Sequence, residues 1–114
     1  MGDWFGILPQ APCVLTPVPD YLEADVPAAY YMPPAPDGSR PGTYYVNLHQ
    51  PTERGRFSTA AIAFHEAIPG HHLQLAIATE RTELPSFRRL TTGHNAFVEG
   101  WALYTERVAD EMDL

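Results

Sequence analysis

The 114-residue sequence predicts an α+β fold, and three observations predict it. Ten of the twelve prolines lie between Pro9 and Pro51, which bars long helices from the first half, because proline lacks an N–H and clashes with the preceding turn. Two runs rich in Tyr and Val flank a Pro/Gly-rich loop in that half, the pattern of a β-hairpin. From Phe57 onward prolines are scarce and apolar residues recur at helical spacing. The expected architecture is an N-terminal Pro-rich extended segment and hairpin, a kinked helix, a short helix and a C-terminal helix, forming one domain over residues 1–114.

Taken in order, Leu8 to Pro19 alternates proline with Val14, Leu15 and Val18, as expected of an edge strand or polyproline-like strip laid on a core. Residues Ala28 to Met32 and Thr43 to Leu48 form the hairpin, with Asp37-Gly38 as the turn inside the long loop between them. Ser58 is the expected N-cap of the first long helix, with Phe57 and Ile62 as its hydrophobic staple. That helix breaks at Pro69-Gly70 and resumes to about Thr79. A polar connector, a short helix from Ser86 to Thr91 and a stop at Gly93 follow. The last helix starts near Asn95 as N-cap and runs to about Met112, with Phe97, Trp101, Tyr104 and Val108 as its core stripe.

Composition excludes several classes of function. The net charge is −7 and all seven cationic side chains are arginines, so no basic patch offers itself to nucleic acid or to an anionic membrane surface. No run approaches the roughly 20 apolar residues that span a bilayer, and the N-terminus lacks the basic and apolar regions of a signal peptide. Localisation is left open. Cys13 has no cysteine partner and reads as a small buried hydrophobe.

The chemistry concentrates in Ala60 to Gln74. His65, Glu66, His71 and His72 fall within eight residues of a stretch that has no other charge between Phe57 and Glu80. Imidazoles grouped on an apolar run need a common partner, and a metal ion is the natural one. His65-Glu66 opens like the HExxH zinc motif, but the position four further on is Pro69. Residues seven apart on an unbroken helix are separated by about 10 Å along the axis, too far for two imidazoles to share one ion. Pro69 and Gly70 must therefore break the helix and let His71 or His72 reach the ion. His71 needs fewer residues looped out and directly follows the flexible glycine; His72 would then support the site or donate to an oxyanion. Glu99, placed among Phe97, Val98 and Trp101, needs a cation and is the expected third ligand, with Gly100 beside it allowing a second helix to come close. His94 and one hairpin tyrosine, with Tyr45 the candidate, are further oxyanion donors, and Glu106 is placed to orient a ligand histidine. His49 reads as a surface residue.

The segment His65-Glu66-Ala67-Ile68-Pro69-Gly70-His71-His72-Leu73-Gln74, followed by Phe97-Val98-Glu99-Gly100-Trp101-Ala102-Leu103-Tyr104, resembles the bacterial family catalogued as domain of unknown function 885. Asp37-Gly38-Ser39-Arg40-Pro41-Gly42-Thr43-Tyr44-Tyr45-Val46-Asn47 is similar to that family's hairpin. The resemblance implies a gluzincin-like zinc metallopeptidase, in which a His-Glu helix and a downstream Glu bind Zn²⁺. It also implies that 114 residues are a fragment of a larger, mostly helical domain, whose remainder completes the substrate cleft. The expected activity is hydrolysis of a peptide or peptide-like substrate by a water activated by Zn²⁺ and Glu66, with His65, His71 and Glu99 as ligands. Two alternatives stand beside it: a metal-binding module without catalysis, and a structural fragment whose histidines bind nothing.

Overall fold

The computed structural model describes residues 1–114. The proline-rich half forms a three-stranded sheet from β1 (Cys13–Pro17), β2 (Ala29–Met32) and β3 (Gly42–Val46), in the order β1-β3-β2. The expected hairpin is there: β2 and β3 run antiparallel, with Tyr31 opposite Tyr44 and Tyr30 opposite Tyr45. Gly38 takes a φ of 73° in the connecting loop, and Asp37 accepts hydrogen bonds from the Ser39 backbone and hydroxyl. The expected edge strip is β1, which lies parallel to β3. Its neighbour Val18 is buried and donates its N–H to the Val46 carbonyl. Asn47, also buried, pins the loop before β2 by donating to the carbonyls of Glu23 and Val26.

The second half is helical: α1 (Arg56–Glu66), α2 (His71–Glu80), α3 (Ser86–Leu90) and α4 (Asn95–Glu111). Helices α1 and α2 form the expected bent stretch, interrupted over residues 67–70, where the Ile68–Pro69 peptide is cis. The interruption is a full stop and restart rather than a bulge in a continuous helix. Both α1 and α2 pack on α4, and α1 also touches β2.

Three local expectations change. Helix α1 starts at Arg56 with Gly55 in the cap position, so Ser58 lies inside the helix and does not cap it; Phe57 is 82% exposed and staples nothing. Helix α4 likewise starts one residue early, with His94 in the cap position and Asn95 already helical. Most consequential is the core face of α4, which is Val98, Ala102, Thr105, Val108 and Ala109 instead of the aromatic stripe. Phe97 and Tyr104 are exposed, and no atom stands near the Cβ that a side chain at Gly100 would add. Alanine and threonine on the buried face let α1 and α2 approach α4 closely, and that close approach brings their polar side chains within bonding reach of α4.

The core is centred on α2 and α4, where Leu73 is 2% exposed and Ala76, Ala102 and Ala109 are inaccessible. Replacing Leu73 by Ala should lower the unfolding free energy by about 2–5 kcal/mol, as for other buried leucines. Leu103→Ala, on the exposed side of α4, should change it by no more than about 0.5 kcal/mol. Chemical denaturation of both variants checks the assignment of the buried face.

Candidate metal centre

The break between α1 and α2 is where the site is made. The N–H of His72 reaches back to the Ala67 carbonyl at 3.0 Å, and the Gln74 N–H reaches Gly70 at 3.2 Å, so α2 restarts at once. Gly70 is required by contact: a Cβ there would overlap the carbonyls of His65 and Phe64. The chain thus doubles back tightly on the end of α1, and His71 arrives beside His65, with ring centroids 4.7 Å apart and edge to face.

Helix α4 supplies the acids. The Glu99 carboxylate lies 3.3 Å from His65 Nε2 and 3.7 Å from His71 Nε2. One candidate ligand atom from each of His65, His71 and Glu99 lies within 4.8 Å of the others. Donors around one tetrahedral zinc with bonds of about 2.1 Å are separated by roughly 3.4 Å, so two imidazole nitrogens and a carboxylate in this arrangement fit such an ion. On the far side of the His65 ring, Nδ1 donates to Glu106 Oε1 at 2.8 Å, the contact by which ligand histidines are commonly oriented. His71 is only 7% exposed, and burial, reinforced by the neighbouring His65 and opposed by Glu99, lowers its pKa, which favours the neutral ring that can coordinate. Glu99 itself is more than half exposed. Its expected apolar pocket is absent, because its neighbours Phe97 and Gly100 face outward with it.

Glu66 ends α1 next to His65 and faces the sheet. Burial raises its carboxyl pKa; the charge of His65 opposes this, Glu99 adds to it, and the Tyr31 backbone N–H lowers it again. Tyr44 lies close enough for the Glu66 charge to raise the phenol further above the value that burial gives it.

The remaining residues singled out in the sequence lie elsewhere. His72 does not join the cluster: Nε2 lies 3.1 Å from the Ala11 carbonyl, and Nδ1 lies 2.8 Å from the Tyr31 hydroxyl. A carbonyl only accepts, so Nε2 carries the proton, and Tyr31 must then donate to Nδ1. Both ring nitrogens are used, which leaves His72 no donor for an oxyanion. A Cβ on Gly42 would overlap both the Tyr31 hydroxyl and His72 Nδ1, so β3 packs directly over this pair. His94 is exposed at the cap of α4 and makes no contact with the cluster. Tyr45 stacks on Tyr30 at 4.8 Å, on the opposite face of the sheet from Tyr31 and Tyr44. Strand residues alternate in face, so the tyrosines turned toward α1 are one position away from the one expected. His49 is a surface residue 3.9 Å from Glu23, as read from the sequence.

Two residues passed over in the sequence belong to the site's surroundings. Tyr31 secures His72, and Trp101, read there as core, donates its indole N–H to the carbonyls of Pro69 and Gly70 at 3.0 and 3.3 Å. The signal for both was polar: each is an aromatic with a donor, placed where a helix break leaves carbonyls or a buried imidazole needs a proton.

Tyr31→Phe should lower stability by about 1–3 kcal/mol, because it leaves His72 Nδ1 buried without a donor. Thermal unfolding of the variant against the parent checks this, and a wild-type melting temperature would contradict the assigned bond.

Comparison with known proteins places these features in context. A search of curated proteins finds none that matches. Among solved structures, one described as "the putative lipoprotein from Colwellia psychrerythraea" superposes with a TM-score of 0.91 at 38% identity. The superposition covers 96% of this chain and 19% of the other, so the chain spans about a fifth of that protein's length. The family described as "Bacterial protein of unknown function (DUF885)" matches residues 1–114. With its whole length matched, the chain belongs to that bacterial family of unknown function.

Proposed function

We propose that this chain carries the metal centre of a zinc-dependent hydrolase that cleaves peptide or peptide-like amide bonds. The observation that carries the reading is the convergence of His65, His71 and Glu99 from three different helices, with Glu66 immediately beside them. A Zn²⁺ ion held by these donors would polarise a carbonyl and bring the pKa of a water toward about 7.

The chain's own residues supply the proton traffic. Glu66 takes a proton from the water whose oxygen adds to the carbonyl carbon. It returns that proton to the amine nitrogen as the C–N bond breaks. A carboxyl whose pKa is raised by burial suits both directions of transfer better than an ordinary exposed Glu. Glu106 holds His65 with Nε2 turned to the cluster.

The sheet offers a means of holding the substrate. The Asn47 N–H bonds to the Ala28 carbonyl, and ladder bonds in an antiparallel pair alternate, so Ala29 and Tyr31 turn their backbone groups away from β3. Strand β2, like β1 an edge of the sheet, passes beside Glu66, where an extended peptide can add as a further strand. The remaining walls of the cleft would come from a larger polypeptide, consistent with the fivefold longer relative in which this unit recurs. A lipoprotein relative also makes a membrane-anchored setting reasonable for that longer protein, although no helix here is long and apolar enough to cross a membrane.

Metal analysis after dialysis should find one zinc per chain. Glu66→Gln should keep that zinc and lose peptide hydrolysis by at least about a hundredfold, the usual contribution of a general base. Unchanged turnover in a zinc-containing Glu66→Gln protein would overturn Glu66 as the base, zinc without turnover in the wild type would indicate a binding module, and a metal-free wild type a structural role for the histidines. Glu106→Ala should weaken zinc binding by about 10–100-fold, read by competition with a chromophoric chelator.

A further inference from the structure

The three imidazoles near the break differ in how they are aimed. His65 is oriented through Nδ1 by Glu106, and His72 is fixed through both nitrogens. His71 has no such hold: its Nδ1 is buried and no protein group lies within hydrogen-bonding distance. A ligand histidine normally owes its orientation to a partner on the second nitrogen. For His71 the direction must come from its backbone. That backbone follows Gly70, whose φ and ψ of −75° and −129° are not helical, so a small rotation there swings the His71 side chain directly.

Two carbonyls at the break are held by backbone N–H groups. Ala67 receives the His72 N–H and Gly70 the Gln74 N–H. The Pro69 carbonyl is different: it receives the Trp101 indole N–H at 3.0 Å, and the same N–H lies 3.3 Å from the Gly70 carbonyl. The indole is braced between Phe5 and Tyr104, with ring centroids 6.4 and 6.0 Å away. It also stands two residues from Glu99 on the same helix.

We propose that Trp101 is a positioning residue of the metal centre: its indole N–H fixes the carbonyls of the helix break and thereby aims His71 at His65 and Glu99. The inference rests on the reading of those three residues as ion ligands. It assigns to one helix, α4, the carboxylate ligand, the group that orients His65 and the group that orients His71.

The test compares zinc affinity and the visible spectrum of the Co²⁺-loaded protein across five forms. These are wild type, Trp101→Phe, Val18→Ala, Trp4→Phe, and the Trp4→Phe protein with benzothienylalanine at position 101. Read against Trp4→Phe, the last keeps the ring's shape and replaces only the N–H, so it carries the test if Trp101→Phe does not fold. The expected result is zinc binding weaker by about tenfold or more, the usual cost of losing a ligand's supporting contact, with an altered Co²⁺ spectrum, in both position-101 variants. Val18→Ala, buried in the sheet away from the break, should melt earlier yet bind zinc as the wild type does. Wild-type affinity and spectrum in the benzothienylalanine protein would overturn the inference. So would affinity losses that merely follow melting temperature across all variants, Val18→Ala included. A wild type that binds no zinc would instead overturn the metal-centre reading itself.

Discussion

The rest of the structure depends on the stop between Glu66 and His71. A continuous helix would carry these side chains onto different turns, with His65 and His71 about 9 Å apart along its axis. With the helix interrupted, the two rings lie edge to face at 4.7 Å. Such a reversal costs backbone hydrogen bonds and needs close contact between main chains. The sequence meets both demands locally: Pro69 has no N–H to lose, and Gly70 has no Cβ to strike the His65 carbonyl. Helix α4 then closes the arrangement from the side with Trp101.

Much of this was legible in the sequence because it follows from residues with narrow conformational rules. Proline density marked the half that could not be helical, the Asp37-Gly38 turn marked the hairpin, and Pro69-Gly70 marked the break. The grouping of His65 with His71 follows from requiring an interrupted helix to bring imidazoles together, whereas Glu99 was read from an apolar setting that the fold does not give it. What was not legible depends on competition between faces. Along α4 the large aromatics scored as core, yet the buried face is Val98, Ala102, Thr105, Val108 and Ala109. Hydrophobicity ranks side chains by size, whereas two helices packing against a third at close range select small ones. The tyrosines failed for a related reason. In a strand a shift of one residue exchanges the faces, and nothing in Tyr30-Tyr31 or Tyr44-Tyr45 states which member of each pair turns inward.

Three carboxylates surround one imidazole pair, and their surroundings give them different work. Glu106 is partly covered and hydrogen-bonded to a histidine nitrogen, which makes it a support. Glu99 is mostly exposed, bridges the two Nε2 atoms and can reorient around an arriving cation at little cost. Burial raises the carboxyl pKa of Glu66 against the opposing charge of His65, which suits the proton-carrying role proposed for it. Residue type is the same in all three; burial and partner separate them.

The spacing of the two α4 acids explains why His65 can serve as a rung between helices. Seven residues of α-helix advance about 10 Å, and that interval is filled by an imidazole reaching 2.8 Å to Glu106 on one side and 3.3 Å to Glu99 on the other. The Nδ1–H bond to Glu106 ties α1 to α4 whether or not a cation is present, whereas Nε2, with its lone pair toward Glu99, needs a cation between the two. His71 lacks even the Nδ1 bond, since its Nδ1 meets no partner. The two histidines are therefore not equivalent: His65 is placed by its side-chain bonds and His71 by the backbone behind it.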